Sequence, residues 1–243
     1  MSDKKIQLFL LPFAGGNSLS FHHLTELLDD GIEAVCVEYA GRVSRRREAY
    51  ITEYKKFLKD AAEYINVRRR ELPFAVLGYS LGSVLAFELI VKEMLEGKPE
   101  HCFLCARGDL KNAGISQRYH ELSDEEFTQR VVSLGGMDER ILKDKRFLDI
   151  YMEPVRMDYK VWSQYRYIES GCRIPCGTTV MYSPKDPLSA GAGEWRKLVG
   201  GSIDFYELGK NHFFLNQHYK EMADIINSHL LKDTGSRSYG TKL

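Results

Sequence analysis

Short apolar runs recur along the chain and alternate with longer segments whose apolar residues have helical spacing. The runs are rich in Val, Ile, Leu and Phe and cover residues 6–11, 32–39, 74–78, 102–106, 178–182 and 203–208. Continuous apolar runs of this length are typical of strands that are buried on both faces of a parallel sheet. We therefore predict that these runs are strands of a mainly parallel sheet.

The segments between the runs predict helices over residues 19–28, 52–69, 81–96 and 216–231. Strands that alternate with helices indicate a layered α/β fold. In an open sheet of this kind the functional site lies at the carboxyl ends of the strands.

One stretch breaks the alternation, because residues 122–168 show helical spacing and no convincing strand. Ser123 with Glu126 matches a capping box, and Gly135-Gly136 separates this helix from the next helical pattern. We predict a helical insertion that forms a lid. Its apolar stripe between Met137 and Met152 either lines an acyl channel or packs as an ordinary core.

Length and charge limit the possible organisation and partners. The chain has 243 residues, of which 44% are hydrophobic, and this suits one sizeable core. We predict a single domain over residues 1–233 and a disordered tail over residues 234–243, because the tail is small and polar. The 34 basic and 34 acidic residues balance, so overall charge does not attract nucleic acid or a membrane surface. We expect neither as a partner, and we expect a monomer.

The N-terminus and the cysteines indicate in which compartment the protein is located and whether it binds a metal. The first apolar stretch is too short for a membrane span and has the wrong shape for a signal peptide. Five cysteines, an odd number, lie mostly in or beside apolar runs, and we predict reduced thiols in a cytoplasmic protein. The pairs Cys102 with Cys105 and Cys172 with Cys176 superficially resemble zinc ligands, but residues three apart on a strand point to opposite faces. We expect packing thiols, no metal and no cofactor.

The main chemical signal is Gly78-Tyr79-Ser80-Leu81-Gly82, which lies between a predicted strand and a predicted helix. A sharp strand-to-helix turn exposes a serine hydroxyl above the edge of the sheet, and small residues two positions to either side permit the turn. The placement predicts a nucleophile elbow of the α/β-hydrolase fold with Ser80 as the nucleophile.

The partners of such a serine follow in chain order, an acid after a later strand and a histidine after the last strand. His212 follows the last predicted strand and is the candidate general base. Asp186, after the strand at 178–182, is the candidate acid that orients His212. Asp109 also follows a strand and remains an alternative acid.

The oxyanion hole requires two backbone N–H groups, one from the residue after the nucleophile and one from a loop after an earlier strand. Leu81 supplies the first. The glycine-rich loop after the first strand supplies the second, which we assign to Ala14, with Phe13 as the alternative.

Taken with their surroundings, these residues resemble the type II thioesterases that accompany nonribosomal peptide and polyketide synthetases, close relatives of the medium-chain fatty acyl thioesterases. The likeness spans most of the chain and includes Leu11-Pro12-Phe13-Ala14-Gly15-Gly16, Gly41-Arg42, the elbow, Leu122-Ser123-Asp124-Glu125-Glu126-Phe127, Asp158-Tyr159, Asp186-Pro187 and His212-Phe213-Phe214-Leu215.

The chain departs from the usual family pattern without losing a reacting group. Tyr79 and Leu81 occupy positions where the family usually has His and Met, Ala40 replaces a Pro, and Asn211 replaces a Gly. The changes at positions 79 and 81 bear on acyl preference rather than on mechanism.

The resemblance implies that the substrate is an acyl or aminoacyl thioester on the phosphopantetheine arm of a carrier protein. A basic cluster, Arg42 with Arg45, Arg46 and Arg47, either docks that partner or is solvated surface. The alternatives to a thioesterase are an oxyester hydrolase that acts on small molecules and a catalytically inactive α/β-hydrolase that serves as a binding module.

Overall fold

Every predicted strand is present in the computed structural model, which describes residues 4–108, 110–111, 118–135 and 145–231. The strands are β1 (Ile6–Leu11), β2 (Ile32–Cys36), β3 (Phe74–Tyr79), β4 (His101–Cys105), β5 (Gly177–Tyr182) and β6 (Ile203–Glu207). They pair in parallel and form one six-stranded sheet, which confirms the predicted α/β architecture. Asp109, residues 136–144 and the predicted tail at 234–243 lie outside the described residues.

The order of the strands across the sheet is β2-β1-β3-β4-β5-β6. The chain passes from β1 to β2 on one side and then crosses to β3 on the other side of β1. The order therefore reverses between β1 and β3, and the crevice at such a switch point is where open α/β sheets bind ligands. In the register of this pair Leu11 is level with Gly78, so the loops that follow β1 and β3 lie side by side.

Both faces of the sheet are covered, which explains why the strand sequences are continuously apolar. In β1, Phe9 and Leu11 belong to one core cluster, whereas Leu8 and Leu10 belong to the cluster on the opposite face. All four side chains are fully buried.

The α-helices cover these two faces and form the segment between β4 and β5. They are α1 (His22–Thr25), α2 (Tyr54–Arg68), α3 (Leu81–Val91), α4 (Asp124–Val132), α5 (Lys145–Trp162) and α6 (Tyr219–Leu230). Helices α2 and α3 contribute to the core on one face of the sheet, and α1 and α6 contribute to the core on the other.

Several predicted helices are shorter in the structure than their sequence pattern. The helix predicted over 81–96 ends at Val91, because Glu93 has a φ of +52° and a right-handed helix does not continue through that conformation. The segment 19–28 divides into a 3₁₀ turn, Ser18–Phe21, and the short α1. The helix predicted over 216–231 begins at Tyr219, after a second 3₁₀ turn, Phe214–Asn216.

The described part of the insertion contains α4 and α5 and no strand, as predicted, but residues 163–168 at its predicted end are not helical. The capping box at the start of α4 is present, since the Ser123 hydroxyl accepts from the Glu126 N–H and the Glu126 carboxylate accepts from the Ser123 N–H. Helices α4 and α5 form a small core of their own around Phe127, Met152 and Val155. The function of the insertion as a lid stays a prediction.

Two of the five cysteines, Cys102 and Cys105, are buried, whereas Cys36 and Cys176 are partly buried and Cys172 is exposed. All five are free thiols, and Cys102 and Cys105 belong to core clusters on opposite faces of the sheet. In the described ranges, no group of three or more His, Cys, Asp or Glu side chains is placed to hold a metal ion. Within the same ranges, no helix is both long enough and apolar enough to cross a bilayer.

The hydroxyl of Ser83 connects α3 to two strands. Its oxygen lies 2.8 Å from the carbonyl oxygens of Gly78 and Cys105, and it accepts the N–H of Cys105 at 3.0 Å. The side chain is fully buried, so water does not replace these partners when the hydroxyl is removed. This position therefore requires a small residue that also forms hydrogen bonds.

We expect Ser83→Ala to lower the free energy of unfolding by about 1–3 kcal/mol, because it removes buried hydrogen bonds that join α3 to β3 and β4. Urea denaturation followed by circular dichroism measures the change. The control is Ser228→Ala on the exposed side of α6, for which we expect a change within about 0.5 kcal/mol. Equal effects of the two substitutions would contradict this account of Ser83.

Candidate active site

The elbow has the geometry that the sequence predicted. Ser80 has a φ of +55° at the junction of β3 and α3, an unusual conformation for a residue with a side chain. A Cβ at Gly78 would lie 2.1 Å from the carbonyl oxygen of Gly82, and a Cβ at Gly82 would lie 2.0 Å from that of Leu11. Only glycine fits at either position, and the chain can therefore reverse sharply around Ser80.

The Ser80 hydroxyl faces the predicted base. Serine is a favoured helix N-cap, yet this side chain makes no capping hydrogen bond to α3. Its Oγ instead lies 3.0 Å from Nε2 of His212. Both residues are buried, with exposed fractions of 6% and 3%, so little water competes for this contact.

Asp186 completes a hydrogen-bonded chain with the other two residues. Its Oδ2 lies 2.8 Å from Nδ1 of His212 and accepts the Ser189 hydroxyl at 2.7 Å, while Oδ1 accepts the Leu188 N–H at 2.9 Å. The alternative acid, Asp109, lies outside the described residues.

The hydrogen bonds of Asp186 determine its charge and the tautomer of His212. Burial by itself raises the pKa of Asp186, but the hydrogen bonds from His212, Ser189 and Leu188 outweigh it and hold that pKa below its ordinary value. The carboxylate is therefore ionised at neutral pH and acts as an acceptor. In this arrangement Nδ1 of His212 carries the hydrogen, and Nε2 accepts from Ser80.

The two backbone groups expected to form an oxyanion hole lie in adjacent segments. The close contact of Gly82 with Leu11 brings the start of α3 against the loop after β1. Ala14 and Leu81 both line a cavity that contains Ser80. Among the described residues, the N–H groups of Ala14 and Leu81 donate none of the backbone hydrogen bonds that lie outside helices and strands.

The cavity beside Ser80 combines aromatic and cationic side chains. The sheet and its loops contribute Arg107 and Leu188, and the helical segment contributes aromatic and polar side chains, namely Tyr119, Arg130, Tyr159, Trp162 and Ser163. None of the described residues of the apolar stripe considered from the sequence lines this cavity. In its described part, Met152 packs inside the small core of the insertion and Ile150 is exposed.

A family comparison identifies the type of protein that carries this arrangement. The model of the thioesterase domain family matches residues 6–230. The chain belongs to the thioesterase family. The resemblance inferred from the elbow and its surroundings is therefore confirmed.

Individual relatives of this thioesterase resemble it over nearly the whole chain. Thioesterase PikA5 of Streptomyces venezuelae is 28% identical over 235 residues, which are 95% of this chain and 83% of that protein. Gramicidin S biosynthesis protein GrsT of Aneurinibacillus migulanus is 28% identical over 229 residues, 93% of this chain and 89% of GrsT. The type II thioesterase BorB from the borrelidin biosynthetic cluster has a solved structure with a TM-score of 0.82 at 27% identity, covering 93% of each chain.

Tyr79 has a positioning contact that sequence analysis missed. Its hydroxyl donates to the backbone carbonyl of His212 at 2.7 Å and accepts the N–H of Leu215 at 3.3 Å. The ring is fully buried and packs near Phe13 and Phe214. The departure from the family's usual His at this position therefore does more than alter packing, because the tyrosine holds the loop that carries His212.

The basic cluster is divided between buried and exposed side chains. Arg42 is buried and forms an ion pair with Asp158 of α5, with 2.5 Å between Nη2 and Oδ1. Arg45 bonds to both Glu48 and Asp60. Arg42 and Arg45 are therefore not free surface charges, contrary to both sequence interpretations of the cluster, which treated all four arginines as exposed.

We expect Tyr79→Phe to lower kcat several-fold, because the His212 loop loses a buried partner, and to lower the free energy of unfolding by about 1–3 kcal/mol. Thioester hydrolysis and urea denaturation measure the two effects. The matched control is Tyr182→Phe, whose hydroxyl makes an exposed contact with Glu207. A Tyr79→Phe enzyme with unchanged kcat would show that this hydrogen bond does not position His212.

Proposed function

We propose that this thioesterase hydrolyses acyl or aminoacyl thioesters on the phosphopantetheine arm of carrier proteins in nonribosomal peptide or polyketide biosynthesis. Ser80 is the nucleophile, His212 the general base and Asp186 the residue that orients His212. The observation that carries the proposal is the buried hydrogen-bonded chain from Ser80 through His212 to Asp186 in a member of the thioesterase family.

The first half-reaction forms an acyl-enzyme. Nε2 of His212 takes the proton of the Ser80 hydroxyl while Oγ attacks the thioester carbonyl carbon. The N–H groups of Leu81 and Ala14 stabilise the negative charge that develops on the carbonyl oxygen. When the tetrahedral intermediate collapses, the C–S bond breaks, and the pantetheine thiol leaves with the proton from His212.

The second half-reaction releases the acid. His212 removes a proton from water, and the water oxygen attacks the acyl carbon bound to Ser80. Collapse of this intermediate returns the proton to Ser80 Oγ and releases a carboxylic acid. The Asp186 carboxylate stabilises the imidazolium that forms in each step.

The pathway assignment rests on the relatives and on the sequence resemblance. GrsT is a gramicidin S biosynthesis protein, and BorB is a type II thioesterase from the borrelidin biosynthetic cluster. We propose that the present enzyme removes wrongly loaded or stalled groups from carrier proteins, as a cytoplasmic monomer. Of the basic cluster, the exposed Arg46 and Arg47 are the side chains available to a carrier-protein surface.

We expect the wild-type enzyme to hydrolyse acetyl, medium-chain or aminoacyl thioesters on a phosphopantetheinylated carrier protein. Ser80→Ala and His212→Ala should each lower kcat by about 10⁴-fold or more, because they remove the nucleophile and the general base. Asp186→Asn should lower kcat by up to about 10⁴-fold, because it favours the wrong tautomer of His212. Asp109→Asn tests the alternative acid and should have little effect.

Surface histidine and oxyester controls separate the competing functions. His23→Ala changes an exposed histidine and should leave kcat unchanged. A large preference for matched oxyesters over thioesters would indicate an esterase instead. If a fluorophosphonate probe fails to label the wild type at Ser80 and no thioester is cleaved, the chain is a binding module.

A further inference from the structure

The loop that carries Ala14 is held by a residue far away in the chain. The N–H of Gly15 donates to Oδ2 of Asp158 at 2.7 Å. Asp158 lies on α5 and is 143 residues further along the chain. Gly15 has a φ of +79°, and the peptide group that bears this N–H is the one that joins Ala14 to Gly15. The contact therefore determines the orientation of a peptide group directly beside Ala14.

Arg42 holds the second oxygen of the same carboxylate. The Asp158 and Arg42 side chains are almost completely buried, with exposed fractions of 2% and 4%. Nη1 and Nε of Arg42 have no hydrogen-bond partner within the described part of the chain, so its ion pair is made through Nη2. Burial raises the pKa of Asp158, whereas Arg42 and the Gly15 N–H counteract that rise by stabilising the carboxylate.

The packing around this contact leaves little freedom for the loop. A Cβ at Gly15 would lie 2.3 Å from Cγ2 of Val155, so α5 packs directly on the loop backbone. At the start of the loop, the Tyr39 hydroxyl donates to the carbonyl of Pro12 at 3.1 Å. The loop is thus held at both ends, once from the sheet side and once from the insertion.

We infer that Asp158 is a positioning residue that aligns the oxyanion hole by binding the Gly15 N–H, and that Arg42 keeps its carboxylate in place. The inference rests on the proposed thioester hydrolysis at Ser80. It makes the insertion part of the catalytic arrangement, because the hydrogen-bond acceptor belongs to α5. A displacement of α5 removes that acceptor from the loop.

If the ion pair between Arg42 and Asp158 only stabilised the fold, kcat would not depend on whether residue 158 offers an oxygen acceptor to Gly15. If Asp158 positions the loop, kcat depends on that acceptor. In Asp158→Asn one oxygen serves two donors, and the charged Arg42 competes with Gly15 for it. In Arg42→Met/Asp158→Asn the remaining oxygen is available to Gly15 alone. In Arg42→Met/Asp158→Leu the side chain has a similar size and no acceptor. Glu153→Gln, an exposed position on α5, is the control.

The experiment measures kcat and KM of each full-length variant with propionyl-N-acetylcysteamine, by detection of the released thiol, and folding by near-UV circular dichroism. Loss of an oxyanion-hole donor typically lowers kcat by about 10²–10³-fold, and misalignment should lower it by at least about 10-fold. We expect this loss, with KM changed by less than about 3-fold, in Asp158→Asn and in Arg42→Met/Asp158→Leu. Arg42→Met/Asp158→Asn should recover most of the wild-type kcat.

Equal kcat values for the two folded double variants would overturn the inference. If the variant with leucine does not fold, the comparison of Asp158→Asn with Arg42→Met/Asp158→Asn decides, and absence of recovery would contradict the positioning role. If the wild type cleaves neither this thioester nor carrier-bound thioesters, the proposed function fails instead. The two failures are therefore distinguishable.

Discussion

The close approach between the elbow and the end of β1 is the constraint on which the rest of the site depends. A Cβ at Gly82 would overlap the carbonyl oxygen of Leu11, so α3 can begin against the loop after β1 only because residue 82 is glycine. The same approach sets Leu81 beside the segment that carries Ala14. This close approach is possible because β1 and β3 are adjacent strands at the point where the strand order reverses.

Two of the three side chains assigned to the reaction, His212 and Asp186, are held by partners that do not themselves react. Tyr79 holds the backbone of His212, and Leu188 and Ser189 hold the carboxylate of Asp186. Such contacts satisfy buried donors and acceptors, and they also reduce the reorganisation required when charge develops. Stability and preorganisation therefore depend on the same hydrogen bonds in this enzyme.

The insertion contributes to the site mainly through the polar and aromatic edges of its helices. Helices α4 and α5 turn apolar residues such as Phe127 and Met152 towards each other, because this buries more apolar surface than lining an open cavity would. Arg130 and Tyr159 are left to face the cavity beside Ser80. Sequence periodicity identified an apolar stripe but not which surface it covers, since that depends on how the helices pack.

The sequence by itself determined the order of strands and helices, the elbow and the chain positions of Ser80, His212 and Asp186. These features depend on local patterns, namely apolar runs, small residues around a sharp turn and polar residues just after strands. It also indicated Ala14 and Leu81, because oxyanion donors occupy set places relative to the elbow. Tertiary structure alone decided the contacts of Tyr79, Arg42 and Asp158. Their partners lie 133, 116 and 143 residues away along the chain. The sequence of a basic cluster does not show whether a given arginine is exposed or buried against a carboxylate.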